Sequence, residues 1–177
     1  MRRTLVYTCL SMFFTIFSFQ IKAGSREDPE TFDAFVNAVQ ENHLISVKAI
    51  KQYVKLDNSF FKGQSIFRGE FGMKVTDNVY VIILKHFQGN YVKDILITFN
   101  KIHEQITYKS IISSCKECKS TDLFADLSFE SEERRKVLIE YYEPIFQKAK
   151  ILESQRKIKK TEHWYITDKG YILKSEW

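Results

Sequence analysis

Glycine and proline are scarce, with 6 and 2 positions in 177 residues. That excludes collagen-like repeats and the Gly/Pro-rich composition of disordered chains. No Ser/Gly/Pro-rich stretch divides the sequence and no fixed-period repeat is visible, so neither a linker-joined pair of domains nor a solenoid is expected. The motifs that announce common chemistries are also missing: there is no Gly-x-Ser-x-Gly elbow, no phosphate-cradling glycine loop, no His-Glu-x-x-His and no dinucleotide fingerprint. Histidine occurs four times and cysteine three times. No cofactor is implied, and with a single Cys-x-x-Cys a zinc site would need His103 and His163 to converge on it.

What is present begins with an export signal. Arg2 and Arg3 precede an uncharged run from Thr4 to Phe19, which leads to the small residues Ala23, Gly24 and Ser25. This is the layout of a secretory signal peptide over residues 1–23, with a single domain over 24–177, and it implies a periplasmic or secreted product. If the segment stays uncleaved, it is the chain's one contact with a membrane. Residues 1–23 carry three of the 27 basic residues and none of the 22 acidic ones, so the formal charge falls from +5 to +2 on cleavage. So small an excess argues against nucleic acid as a partner. The one dense basic cluster, Arg156, Lys157, Lys159 and Lys160, is expected in a solvated loop between strands.

Two helices are expected near the start. Asp28-Pro29-Glu30 resembles an N-cap, an N1 proline and a first-turn acid, and Phe32, Phe35, Val36 and Val39 follow at helical spacing, which predicts a helix over Pro29 to Gln40. Val47, Ile50, Tyr53 and Val54 suggest a second, short one. From Ile66 onward the periodicity shifts to short β-branched and aromatic runs. Strands are predicted at Val79 to His86 and Tyr91 to Phe99, joined through Gln88, Gly89 and Asn90, then at Glu104 to Ser114 and Leu123 to Phe129. The first of these is apolar on both faces and so should be central. Residues 131–142 satisfy both strand and helix periods, and strand is preferred over Lys136 to Tyr142. A hairpin over His163 to Trp177, turning at Thr167-Asp168-Lys169-Gly170, completes the pattern. Short connections favour neighbour pairing, so the expected class is α+β, an N-terminal helix packed on a curved antiparallel β-meander.

Phe32-Asp33-Ala34-Phe35, the strand Ile95-Leu96-Ile97-Thr98-Phe99 with Asn100-Lys101, and Trp164-Tyr165-Ile166-Thr167-Asp168-Lys169-Gly170 give the chain a particular look. With the export signal, it resembles small exported proteins of unknown function from Bacteroidetes-type bacteria, over about half of the mature chain. The resemblance implies export and a β-rich fold, and it carries no catalytic residue.

Two features bear on function. Cys115-Lys116-Glu117-Cys118 reads first as a local structural disulfide in an oxidising compartment, with a thiol-disulfide oxidoreductase as the alternative. Scattered acids can be paired on paper, Asp94 with Glu104 or Glu140 with His163, but no spacing demands it. The aromatic residues, 15 Phe, 9 Tyr and 2 Trp, exceed what one core face needs. Tyr142, Tyr165, Tyr171 and Trp177, on strands near the C-terminal hairpin, are the candidates for an exposed aromatic face. The function read from the sequence is therefore a non-enzymatic binding protein whose partner is a protein, a peptide or a small apolar ligand.

Overall fold

The computed structural model describes residues 26–115, 124–130, 135–143, 146–147, 150–151 and 157–175. The expected signal peptide, Cys118, Arg156 and Trp177 fall outside these residues.

Helix α1, Phe32–Gln40, begins at Thr31, whose Oγ1 accepts from the Ala34 amide at 3.2 Å. The cap is thus not Asp28, whose carboxylate instead accepts from Ser46 Oγ and Lys48 Nζ at 3.0 and 2.8 Å and ties the entering chain to the second helix. That helix, α2, spans Val47–Tyr53 and is capped by the Ser46 hydroxyl on the Ala49 amide. A 3₁₀ turn follows at Asn58–Phe61.

The strands form two principal antiparallel sheets. The first holds β1 (Leu44–Ile45), β2 (Ser65–Thr76), β3 (Val79–Gln88), β4 (Tyr91–Asn100) and β5 (Gln105–Cys115), in that spatial order. As its two-sided apolar pattern requires, β3 is central. Ile82 and Leu84 join Phe35, Val39, Ile50, Phe67, Ile95, Ile97 and Phe99 in a core under the helices. Val79, Val81 and Ile83 join Leu96 and Ile111 in a second core on the opposite face. The helix therefore does pack on an antiparallel meander, and the fold is α+β.

After Cys115 the chain moves to a second sheet that covers the meander's other face. It contains β6 (Phe124–Phe129), β7 (Lys136–Glu143), β10 (Lys157–Ile166) and β11 (Ile172–Lys174), ordered β11-β10-β7-β6, while the short β8 (Phe146–Gln147) and β9 (Lys150–Ile151) pair with each other. Residues 136–142 are strand, as preferred. Ala125, Val137, Ile139 and Ile166 close the second core, which explains why β3 needed two apolar faces. A hydrogen bond joins the sheets where buried Thr98 donates to the Gly170 carbonyl at 2.6 Å. The basic segment is not a loop: Lys157, Lys159 and Lys160 lie in β10, with a bulge between Ile158 and Lys160 where it pairs with β7. Lys159 and Lys160 occupy exposed positions of that strand, so the charge run did not mark a connection.

Candidate binding site

The C-terminal hairpin builds an open concavity. Its turn needs glycine: Gly170 has φ +84°, and a Cβ there would collide with the Ile106 side chain. The turn aligns Trp164 with Lys174, Tyr165 with Leu173 and Ile166 with Ile172. Side chains along β10 alternate. Glu162 and Ile166 are buried and Trp164 is half-buried against the inter-sheet core, whereas His163 is exposed and Tyr165 half-buried on the outer side.

Hydrogen bonding fixes which backbone groups face outward. Ser175 N donates to His163 O at 2.8 Å and Thr167 N to Tyr171 O at 3.0 Å, so residues 171, 173 and 175 bond to β10. By the antiparallel alternation, the amides and carbonyls of Ile172 and Lys174 turn to the outer edge. Among the described residues, β11 pairs only with β10.

Beside this edge lies an open cavity of about 680 Å³ lined by Glu130, Lys136, His163, Trp164, Tyr165, Leu173, Lys174 and Ser175. Its polar groups are largely engaged within the protein. His163 Nδ1 is 3.0 Å from Glu130 Oε1, and Arg135 Nη1 donates to the Tyr165 hydroxyl at 3.3 Å while pairing with Asp168 at 2.6 Å. Trp164 Nε1 donates to Glu162 at 3.1 Å, and Lys109 Nζ sits 4.4 Å from the Trp164 ring centre. Leu173 remains 54% exposed. The site thus offers ring surface, an aliphatic side chain and free backbone edge, the materials for holding an apolar group or an extended chain.

Glu162 anchors this region from the inner side. Burial alone would raise its pKa, but Lys160, Lys174 and Trp164 all hydrogen-bond the carboxylate and hold it down at about 2. Lys160 and Lys174 reach its Oε1 at 2.5 and 3.0 Å, and the Tyr141 hydroxyl donates to Oε2 at 3.2 Å. The carboxylate holds β11, β10 and β7 together beneath the cavity.

The aromatic candidates separate. Tyr165 lines the cavity, and Tyr171, 53% exposed, stands at the hairpin turn. Tyr142 is not an exposed residue: at 6% exposure it packs with Phe124 and Cys115, and its hydroxyl donates to the Ser113 carbonyl at 3.4 Å. At this end of β7 the chain has passed the bulge in β10, and Tyr142 stands opposite Phe124 of β6. Trp177 lies outside the described residues. Sequence reasoning missed Leu173 on the cavity wall and Trp164 and Glu162 beneath it; alternation along β10 was the available signal for the last two, while Leu173 needed the β10–β11 register.

Cys115 ends β5 and is 2% exposed. It sits at the end of a strand, not at a helix start where a dipole would favour a thiolate. His103, in the turn before β5, stacks on Phe32 at 4.2 Å, and β5 then runs for 11 residues, roughly 30 Å, before Cys115. His163 is paired with Glu130. The paper pairs of acids separate as well: Asp94 is bonded to Ser113 and near Lys85, Glu104 bonds Asn100 at the far end of β4, and Glu140 stands opposite Thr161. Burial raises the Asp94 pKa against the pull of Lys85 and Ser113. No helix among the described residues is long and apolar enough to cross a membrane.

No family model, no curated protein and no solved structure matches this chain.

Proposed function

We propose that the protein is an exported, non-enzymatic binding module that holds an extended peptide or a small apolar ligand at the β10–β11 edge. One observation carries this reading: a cavity with the Tyr165 ring and the Leu173 side chain on its wall opens beside a strand whose Ile172 and Lys174 backbone groups face outward. A visiting strand would bond to those groups and place an alternate apolar side chain in the cavity, where aromatic walls give area at low rotamer cost. The Tyr165 hydroxyl already has a partner, so apolar contact is what its ring has left to give.

Export is supported by the layout of residues 1–25. A structural disulfide between Cys115 and Cys118 belongs to the same reading. It is supported by the three-residue spacing and by a Cys115 that is 2% exposed.

The test is selection of displayed random peptides on the wild-type protein, counter-selected on Leu173→Asp, which fills the cavity mouth with charge. The reading expects peptides sharing an apolar anchor that bind wild type at least tenfold better than the variant. Peptides indifferent to Leu173→Asp, or none enriched, would remove it. Intact mass after expression in an exporting host, with and without thiol alkylation, tests cleavage near Ala23 and the cystine.

A further inference from the structure

His86 is the least explained polar group in the described residues. It lies on the helix-side face of β3, fully buried, and neither ring nitrogen has a hydrogen-bond partner. The imidazole stacks on Phe67 of β2 at 4.5 Å and is covered by Phe60 of the 3₁₀ turn at 5.4 Å. A neutral imidazole carries one donor and one acceptor, so this burial has a cost that water would relieve.

What covers His86 is a short element with few attachments. The turn Asn58–Phe61 has no side-chain cap. It is fastened by Ser65 Oγ on the Phe60 carbonyl, by Gln88 Nε2 on the carbonyls of Ser59 and Lys62, and by the Tyr108 hydroxyl on Asp57. Two cation–ring contacts add to these, Lys93 of β4 over Phe60 at 5.1 Å and Lys51 of α2 over Phe61 at 5.0 Å.

The charged and titratable groups around the imidazole set its response to acid. Lys93 stands directly across from it on β4, Tyr108 of β5 packs edge-on to Phe60 with its hydroxyl committed to Asp57, and Lys51 reaches only the outer ring, Phe61. A proton on His86 would therefore sit in an apolar slot facing an ammonium.

We propose that the Asn58–Phe61 turn is an acid-released cover: protonation of His86 lifts it from the sheet and exposes the Phe67–Tyr108 floor while the two sheets remain folded. Burial, and after it the charge of Lys93, lowers the His86 pKa from 6.5 to about 4, with the Phe60 backbone a weaker opposing influence. Opening that restores the ordinary value is then linked to uptake of one proton across that interval.

Hydrogen exchange of the full chain followed by mass spectrometry reads this directly, once chemical exchange rates at each pH are divided out. Protection of peptides over residues 57–62 is expected to fall as pH drops, by roughly 80-fold between pH 6.5 and about 4 and by roughly 300-fold between the two plateaus. Because the opening is local, that exchange should be unchanged by about 1 M urea. His86→Leu should abolish the pH dependence. Lys93→Met, which leaves His86 in place, should shrink it by removing the opposing charge. The proposal is overturned if wild type and His86→Leu show the same pH dependence, if Lys93→Met leaves the total fall in protection as large as in wild type, or if exchange at 57–62 is as urea-sensitive as in Ile95–Phe99.

Discussion

Gly69 offers the sharpest test of how the helices sit on the sheet. A Cβ at this position would stand 2.3 Å from Val39 Cα and 2.4 Å from Val39 O, both backbone atoms of α1. Neither side can easily give way, because the Gly69 amide is bonded to the His43 carbonyl at 2.9 Å and the strand already bulges between Gly69 and Phe71. Gly69→Ala therefore forces α1 away by about 1 Å, until contacts reach the 3.4 Å of ordinary packing. A gap of that size forfeits about a quarter to a half of the dispersion energy across it. The face concerned carries Phe35, Val36 and Val39, all buried, each contributing about 2 kcal/mol when fully packed. The expected loss is about 2–3 kcal/mol, near the upper end of overpacking costs, which in a domain of this size lowers Tm by roughly 5–10 °C. Urea and thermal unfolding followed by far-UV circular dichroism measure both. Gly72→Ala is the control: its Cβ meets the flexible Gln40 side chain at 3.2 Å, and the cost should stay below about 1 kcal/mol. If Gly69→Ala is no more destabilising than Gly72→Ala, the close approach of α1 to β2 is not what demands glycine.

The parts of the fold legible in the sequence are those where one local rule acts alone. Alternation through β3 and β4 located both strands, and the apolar character of both faces of Val79 to Leu84 implied cover on each side. The identity of that cover was not local. That the chain changes sheets after Cys115 depends on Ala125, Val137, Ile139 and Ile166 meeting Val81 and Ile83, contacts far apart in sequence. The start of α1 was misread because Asp28-Pro29-Glu30 satisfies the capping pattern as well as Thr31 does. The competition is settled by a tertiary contact, the pull of Ser46 and Lys48 on Asp28. The candidate site was legible by half for a similar reason. Tyr165 follows from the parity of β10, but whether Tyr142 faces water depends on the bulge at Ile158/Lys160 and on Phe124 arriving opposite it. A tyrosine on a strand reads alike in sequence whether its ring closes a small core with Cys115 or meets a ligand.

That difference is measurable. Tyr142→Ala should cost about 3 kcal/mol in urea unfolding, while the folded fraction keeps the affinity for selected peptides that Leu173→Asp loses. Thr31→Ala should cost about 1 kcal/mol by removing the Oγ1 cap from the Ala34 amide, read by the same unfolding curves. Glu162→Gln probes the anchor beneath the cavity, and here charge and pH separate two explanations. Its carboxylate accepts only from donors, the ammonium groups of Lys160 and Lys174, the Trp164 indole and the Tyr141 hydroxyl. An amide of the same shape turns two hydrogens into that ring of donors. Both lysines are half exposed, so water screens part of the loss, and about 1.5 kcal/mol is expected at neutral pH. Because folding lowers this pKa from 4.5 to about 2, the contribution of Glu162 is fully present above pH 4.5 and fades as pH falls toward 2. Wild type and variant should therefore converge in stability across that interval. A difference that stays constant from neutral pH down to about 2 would mean that glutamine disturbs packing alone, and that the carboxylate does not hold β11 to the sheet through its charge.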